Sequence, residues 1–132
     1  MFDWKKPTVQ MLGRWQPWHA GHQELFKRCF KKTGQVIIQV RDVHGASGGE
    51  GQDDNPFDWE LVCNNIEESL IKDDFKRGVD YEIMLVPNIT NITYGRGVGY
   101  KIEEEVFDES ISSISATSIR KKMRESGQLE KN

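Results

Sequence analysis

Long apolar runs are missing from this sequence, and cysteine is scarce. No stretch approaches the ~18 consecutive apolar residues of a membrane-spanning helix, and the opening MFDWKK lacks the apolar core of a secretory signal. Two cysteines in 132 residues indicate no disulfide framework. With 36% hydrophobic and 30% charged residues, the composition is that of a soluble globular protein. We therefore expect a cytoplasmic protein that does not act at a membrane.

A strong net charge is missing too. The formal net charge is -3 and no long basic run occurs, so nucleic acid is disfavoured as a partner. Lys and Arg are nevertheless concentrated in residues 1–34 and 119–132, whereas Asp and Glu dominate between them. Two basic ends that converge would suit a small polyanion, although an ordinary solvated surface gives the same pattern.

Strand and helix patterns alternate regularly along the chain. The length fits one domain over residues 1–132, which can bury roughly two-thirds of its unfolded surface in a single core. Short β-favouring runs and helical apolar periodicity predict strands at 8–12, 35–40 and 81–86 and helices at 20–32 and 55–71. This alternation predicts a three-layer α/β/α sandwich with a mainly parallel sheet.

Three further expectations concern the boundaries and the second half of the chain. The second helix is expected to begin at an Asn55 cap followed by Pro56. The polar, glycine-rich segment 42–54 is interpreted as a mobile flap beside a functional site. Later patterns predict a helix through 98–106, a short strand at 110–114 and a terminal helix that begins near Ser115 or Thr117.

Residues 13–22, with the sequence GRWQPWHAGH, lie between the first strand and the first helix. His19 and His22 are three residues apart, so they share one face of the first helical turn. That end of a helix carries unpaired N–H groups and the positive end of the dipole, which favour an anion. Phosphate is therefore the predicted ligand, whereas an isolated histidine pair would suit a surface or a metal site. A metal site would need further ligands, and the remaining histidine, His44, lies in the polar segment.

Residues 114–120, with the sequence ISATSIR, form a second pattern near the other end of the chain. Thr117 and Ser118 would offer hydroxyl and backbone N–H groups at a helix start, and Arg120 could fork onto phosphate oxygens. The ordinary alternative is a capped, basic amphipathic helix. Because ligands bind at the carboxyl ends of the strands in an open parallel sheet, both segments could line a single cleft.

These two segments resemble the H-x-G-H and I-S-x-T-x-x-R signature boxes of the nucleotidylyltransferase superfamily. The resemblance implies a Rossmann-like fold. Within the superfamily, GRWQPWH is similar to the G-R-F-Q-P-F-H of archaeal-type nicotinamide-mononucleotide adenylyltransferases, as is Asn-Pro-Phe at 55–57. Cytidylyltransferases that act on glycerol phosphate or choline phosphate tend to carry Asp where this chain has Gln16, which favours ATP.

The resemblance implies transfer of a nucleotidyl group from a nucleoside triphosphate to a small phosphate-bearing acceptor, with release of pyrophosphate. Mg²⁺ is expected to accompany the triphosphate, and a homo-oligomer is expected by family analogy. Catalysis is assigned to His19, His22 and Arg120, which would stabilise the charge that develops during in-line transfer. The residues assigned to nucleotide binding are Gly13, Arg14, Trp15, Gly21, Ser115, Thr117 and Ser118.

Three alternatives stay open. A cytidylyltransferase would use CTP and an alcohol phosphate such as glycerol 3-phosphate, a non-catalytic module would bind the nucleotide alone, and a hydrolytic metalloenzyme would use the histidines as zinc ligands. Residues 88–113 are mostly polar, where adenylyltransferases carry a further apolar strand and a loop that help to hold the acceptor. The acceptor is therefore undefined. Trp15 or Trp18 could stack on the base, with core packing as the alternative for each.

Overall fold

A computed structural model describes residues 1–43, 57–96 and 99–104. The elements in chain order are β1 (Val9–Gly13), α1 (Ala20–Thr33), β2 (Val36–Arg41), α2 (Trp59–Ile71) and β3 (Tyr81–Val86). The strands form a parallel sheet in the order β1-β2-β3, and one helix connects each strand to the next. The predicted Rossmann-like α/β fold with a parallel sheet is thereby confirmed.

The core lies between the sheet and the two helices. Val36, Ile38 and Val40 alternate along β2 and are almost fully buried. The ring of Phe26 on α1 meets the ring of Tyr81 on β3 edge to face, with centroids 5.6 Å apart. Ile66 and Leu70 of α2 belong to the same cluster. The two helices also touch each other, because the side chain of Gln23 on α1 hydrogen-bonds to Ser69 on α2.

Helix α1 begins at the predicted residue, Ala20, and ends at Thr33, one residue beyond the predicted end and directly before the predicted stop at Gly34. Gly34 follows its last turn in the left-handed conformation, with φ of 80°, and its N–H donates to the Phe30 carbonyl at 2.7 Å. Glycine adopts this conformation without the steric cost of a Cβ, so it ends the helix. Lys31 and Lys32 in the last turn face the negative end of the helix dipole.

The predicted start of α2 is wrong. The cap is Asp58, whose carboxylate accepts a hydrogen bond from the Leu61 N–H at 2.9 Å, and the helix begins at Trp59. Phe57 stays outside the helix because its backbone N–H and carbonyl are both bonded to the side chain of Gln16. Asn55 and Pro56 lie outside the described residues.

Residues 88–96 and 99–104 contain no helix or strand. The helix predicted through 98–106 is therefore wrong over the part of it that is described. Gly99 has a φ of 85°, which a right-handed helix does not accept, and Ile102 is 67% exposed, so no burial compensates. The strand predicted at 110–114 and the terminal helix lie outside the described residues.

The interpretation of 42–54 as a flap also falls mostly outside the described ranges, which resume at residue 57. Its first two residues belong to the body of the protein. The Asp42 N–H donates to the Val86 carbonyl at 2.8 Å, and Val43 is buried. Within the described ranges, none of the helices has the length and apolar character that a membrane crossing requires.

Candidate active site

The turn from β1 to α1 is built around a buried tryptophan. Trp15 is 6% exposed and has a left-handed backbone, with φ of 53°. Its indole N–H donates to the Gln39 carbonyl on β2 at 3.1 Å. Its ring packs against Trp18 and against the edge of His22, with centroids 5.2 Å and 4.8 Å away. Trp15 and Trp18 both belong to the core, as the packing interpretation of each ring expects.

His19 and His22 cap the start of α1 reciprocally. The Nδ1 atom of His19 accepts a hydrogen bond from the Gly21 N–H at 3.0 Å. The Nδ1 atom of His22 accepts one from the N–H of His19 itself at 3.2 Å. Two backbone donors of the first turn are thus satisfied, as in a capping box in which imidazoles replace the usual hydroxyl and carboxylate. The two rings stack with centroids 3.7 Å apart and an interplanar angle of 21°.

This arrangement fixes the protonation of both rings. A ring nitrogen that accepts a backbone N–H cannot carry a proton, so in each neutral ring the proton resides on Nε2. Burial lowers the pKa of His22 to about 3, with a smaller contribution from the neighbouring His19. Burial also lowers the pKa of His19. Both histidines are therefore neutral near pH 7, and each presents an Nε2–H donor that no described residue engages.

A neutral pair at a helix start suits an anion. The remaining N–H groups of the first turn and the helix dipole favour negative charge, and two Nε2–H donors add directed hydrogen bonds. Because the rings stack, their donors lie close enough to contact one polyanion. Contact of His19 and His22 with a triphosphate remains a prediction that this geometry favours.

Gly13 has a packing role that sequence reasoning missed. A Cβ at this position would lie 2.8 Å from Cζ2 and 2.9 Å from Cε2 of Trp15, closer than real contacts allow. The last residue of β1 is therefore glycine because the indole lies directly against its backbone. Gly21 is buried in the first turn, where its N–H donates a hydrogen bond to Nδ1 of His19. Contacts of Gly13, Arg14, Trp15 and Gly21 with a nucleotide remain predictions.

Gln16 connects this turn to the start of α2. Gln16 is only 3% exposed, and its side-chain amide forms two hydrogen bonds with one residue 41 positions away. The amide NH₂ donates to the Phe57 carbonyl and the amide oxygen accepts from the Phe57 N–H, both at 2.9 Å. This pair of bonds fixes where the chain enters α2.

Gln23 provides a second connection between the site and α2. Its amide oxygen accepts from the indole N–H of Trp18 at 2.7 Å, and its NH₂ donates to the Ser69 carbonyl and to Asp73, each at 2.9 Å. A shallow groove of about 430 Å³ between the helices runs from His19 past these residues. Sequence reasoning missed Gln23 because it lies on a helix among apolar residues and no motif includes it.

The second motif lies outside the described residues, and so do its predicted site residues Ser115, Thr117, Ser118 and Arg120. Whether residues 114–120 share a cleft with the histidines therefore remains a prediction. Within the described ranges, no group of three His, Cys, Asp or Glu side chains is arranged to hold a metal ion.

The fold is of the Rossmann-like α/β class, and the helix that follows its first strand is capped by histidine. Comparison with curated proteins adds three archaeal relatives, each named nicotinamide-nucleotide adenylyltransferase. The protein of Methanococcus maripaludis strain C5 is 26% identical over 133 residues, which cover 86% of this chain and 75% of the relative. That of Archaeoglobus fulgidus is 30% identical over 78 residues, which cover 58% of this chain and 41% of the relative.

The third match is shorter. The protein of Methanococcus maripaludis strain C6 is 43% identical over 30 residues, which cover 23% of this chain and 18% of the relative. No protein-family model matches the chain. The chain is thus similar to proteins that are named as adenylyltransferases, at 26% and 30% identity over the longer matches.

Proposed function

We propose that this protein is a nucleotidylyltransferase that transfers an adenylyl group from ATP to a small acceptor carrying a phosphate. Nicotinamide mononucleotide is the first acceptor to test, because the similar proteins are named for that class of nucleotide. The observation that carries the proposal is the pair of neutral, stacked imidazoles at the start of α1, each with an Nε2–H donor.

In the proposed reaction, a phosphate oxygen of the acceptor attacks the α-phosphorus of ATP. A new P–O bond forms, the bond from the α-phosphorus to the bridging oxygen breaks, and pyrophosphate leaves with that electron pair. Negative charge develops on the leaving pyrophosphate during the transfer. His19 and His22 stabilise it by donating from Nε2, and they do so as neutral donors because neither ring readily takes up a second proton.

Mg²⁺ is proposed to enter with the triphosphate as part of the substrate. The described donor set agrees with this, because two imidazoles with protonated Nε2 atoms are poor ligands for an ion that prefers oxygen. The ion would neutralise triphosphate charge. Arg120, Thr117 and Ser118 are proposed as further phosphate contacts from the second motif.

Catalysis is tested by pyrophosphate release with ATP or CTP as donor and nicotinamide mononucleotide or glycerol 3-phosphate as acceptor. We expect release with ATP and nicotinamide mononucleotide. Release with CTP and glycerol 3-phosphate alone would establish the cytidylyltransferase alternative. Tight triphosphate binding without release for any acceptor would establish a non-catalytic nucleotide-binding module.

Two substitutions separate capping from catalysis. Asn is a strong helix cap and Gln at the third helical position suits a capping box, so His19→Asn and His22→Gln preserve the backbone hydrogen bonds. Both remove the imidazole Nε2–H, and each should lower turnover about 100-fold or more, the effect of removing one donor to a developing charge. Lys31→Gln on the exposed face of α1 is the matched control. Unchanged pyrophosphate release in both histidine variants would refute the proposed role.

A further inference from the structure

Arg41 lies at the carboxyl edge of the sheet and is not part of the motif at residues 13–22. It is the last residue of β2, and its Nε and one Nη atom donate to the side-chain oxygen of Asn88 at 3.2 Å and 2.7 Å. Asn88 follows the end of β3 by two residues. The amide oxygen thus holds one side of the guanidinium in a fixed orientation.

The position of Arg41 relative to the histidine turn follows from strand register. Gly13 at the end of β1 pairs with Val40, so the backbone of Arg14 continues beside Arg41. Arg41 in turn pairs with Val86 at the end of β3. Both arginines therefore lie at the carboxyl edge of the sheet, from which the chain enters the His19 turn. Ligands of open parallel sheets bind at this edge.

The partner of Arg41 is neutral, which distinguishes it from a structural arginine in the same protein. Arg77 bonds to the carboxylates of Glu67 and Glu82, which balance its charge. Among the described residues Arg41 forms no ion pair. No residue of the described ranges engages its second Nη group or the side-chain NH₂ of Asn88, which accepts through its oxygen, so both can act as donors. Together they provide a positive, planar donor set that matches phosphate.

We propose that Arg41, oriented by Asn88, binds the phosphate of the acceptor. This inference depends on the proposed function and makes the acceptor a phosphate monoester that lies over the ends of β2 and β3. The nucleoside triphosphate then occupies the histidine turn beside β1. Arg41 offsets the repulsion between two anions and leaves one acceptor oxygen free to attack the α-phosphorus.

The binding test uses inorganic phosphate as the probe, with the triphosphate site first saturated by the α,β-methylene analogue of ATP. Isothermal titration calorimetry measures phosphate affinity for the full chain and for Arg41→Gln. Loss of hydrogen bonds from a charged group should weaken phosphate binding about 10- to 100-fold. Arg28→Gln, which changes an arginine on α1 away from the end of β2, should leave the affinity unchanged. Equal affinity of wild type and Arg41→Gln, or no phosphate binding by wild type, would overturn the inference.

A kinetic test separates this role from a merely structural one. In Arg41→Gln the KM for nicotinamide mononucleotide should rise about 10- to 100-fold, while the KM for ATP stays within about twofold. Asn88→Ala should raise the KM for nicotinamide mononucleotide by less, because it removes the hydrogen bonds that orient the Arg41 guanidinium but leaves its charge. A rise in the KM for ATP instead would assign Arg41 to the triphosphate and contradict the inference.

The failure of this inference can be distinguished from failure of the proposed function. If phosphate binds through Arg41 but no donor and acceptor pair releases pyrophosphate, the anion site stands and the transferase assignment fails. If pyrophosphate is released normally by Arg41→Gln with unchanged KM values, the transferase assignment stands and the acceptor site fails.

Discussion

Because Gly13 has no Cβ, the indole of Trp15 can pack directly against its backbone at the candidate site. The indole lies against the glycine backbone on one side and contacts the edge of the His22 ring on another. Its N–H is anchored to the Gln39 carbonyl. The absence of a Cβ at Gly13 therefore contributes to the orientation of His22 through the indole of Trp15.

We predict that Gly13→Ala destabilises the protein by about 1–3 kcal/mol, the usual cost of overpacking a core. The added Cβ must displace the buried Trp15 ring, which a rigid indole resists. Urea unfolding measures the change. Gly95→Ala is the matched control, because a Cβ there meets nothing within 4 Å, and it should change stability by less than about 0.5 kcal/mol. Equal stability of the two variants would contradict this packing role.

The low pKa of His22 couples stability to pH. The unfolded histidine has a pKa near 6.5, whereas burial lowers the folded value to about 3, so the unfolded state binds more protons between these values. The contribution of His22 is fully present above pH 6.5 and is lost as pH falls towards 3. His19 acts in the same direction.

We predict that wild type loses stability more steeply than His22→Gln between pH 6.5 and 5. One proton bound on unfolding corresponds to a slope of at most about 1.4 kcal/mol per pH unit. Urea unfolding of both proteins at pH 7.5, 6.5, 5.5 and 5.0 measures the difference. Parallel pH profiles would show that His22 titrates normally in the folded state.

Gln16 links two elements that are far apart in sequence. Its amide pairs with both polar groups of the Phe57 backbone, so the turn after β1 and the start of α2 have one fixed relation. From sequence alone, Gln16 indicates a preference for ATP over CTP. The structure gives it an architectural role.

We predict that Gln16→Ala destabilises the protein by roughly 2–4 kcal/mol, because it leaves a buried N–H and a buried carbonyl of Phe57 without partners. Thermal and urea unfolding measure this. Gln10→Ala is the matched control, since Gln10 is exposed on β1 and bonds to Gln39 at the surface. A cost no greater than that of the control would show that water replaces the Gln16 bonds.

Local patterns predicted those elements whose boundaries depend on local chemistry. Gly34 ends α1 as expected, and β3 spans the six residues that its apolar run indicated. The start of α2 was predicted wrongly because a tertiary contact from Gln16 removes Phe57 from the helix. The helix expected through 98–106 had apolar spacing, but Ile102 finds no surface to pack against.

The site was predictable in its motif but not in its protonation. The spacing of His19 and His22 indicates a shared helical face, and in the structure the two rings lie stacked there. Spacing could not show that each Nδ1 accepts a backbone N–H, nor that burial keeps both rings neutral. The role proposed for Arg41 could not be predicted from the sequence, because it depends on the register of β2 with β1 and on the hydrogen bonds to Asn88.

At the level of the complete fold, the account predicts that triphosphates stabilise the protein. A ligand that binds only the folded state adds about 1.4 kcal/mol of stability at a tenfold excess over its dissociation constant. Thermal unfolding with Mg-ATP should show a higher midpoint in wild type and a smaller increase in His19→Asn. Adenosine, which lacks the phosphates, is the control ligand. An equal increase of the unfolding midpoint with adenosine would show that the protein recognises the nucleoside and not the phosphates.

The central claim is that two neutral imidazoles with protonated Nε2 atoms hold the triphosphate, and ¹⁵N nuclear magnetic resonance of the histidine side chains tests it most directly. We predict that the Nδ1 atoms of His19 and His22 remain unprotonated between pH 8 and pH 6.5, and that Mg-ATP shifts both Nε2–H signals. Protonation of either Nδ1 above pH 6.5, or signals that Mg-ATP leaves unchanged, would contradict the account.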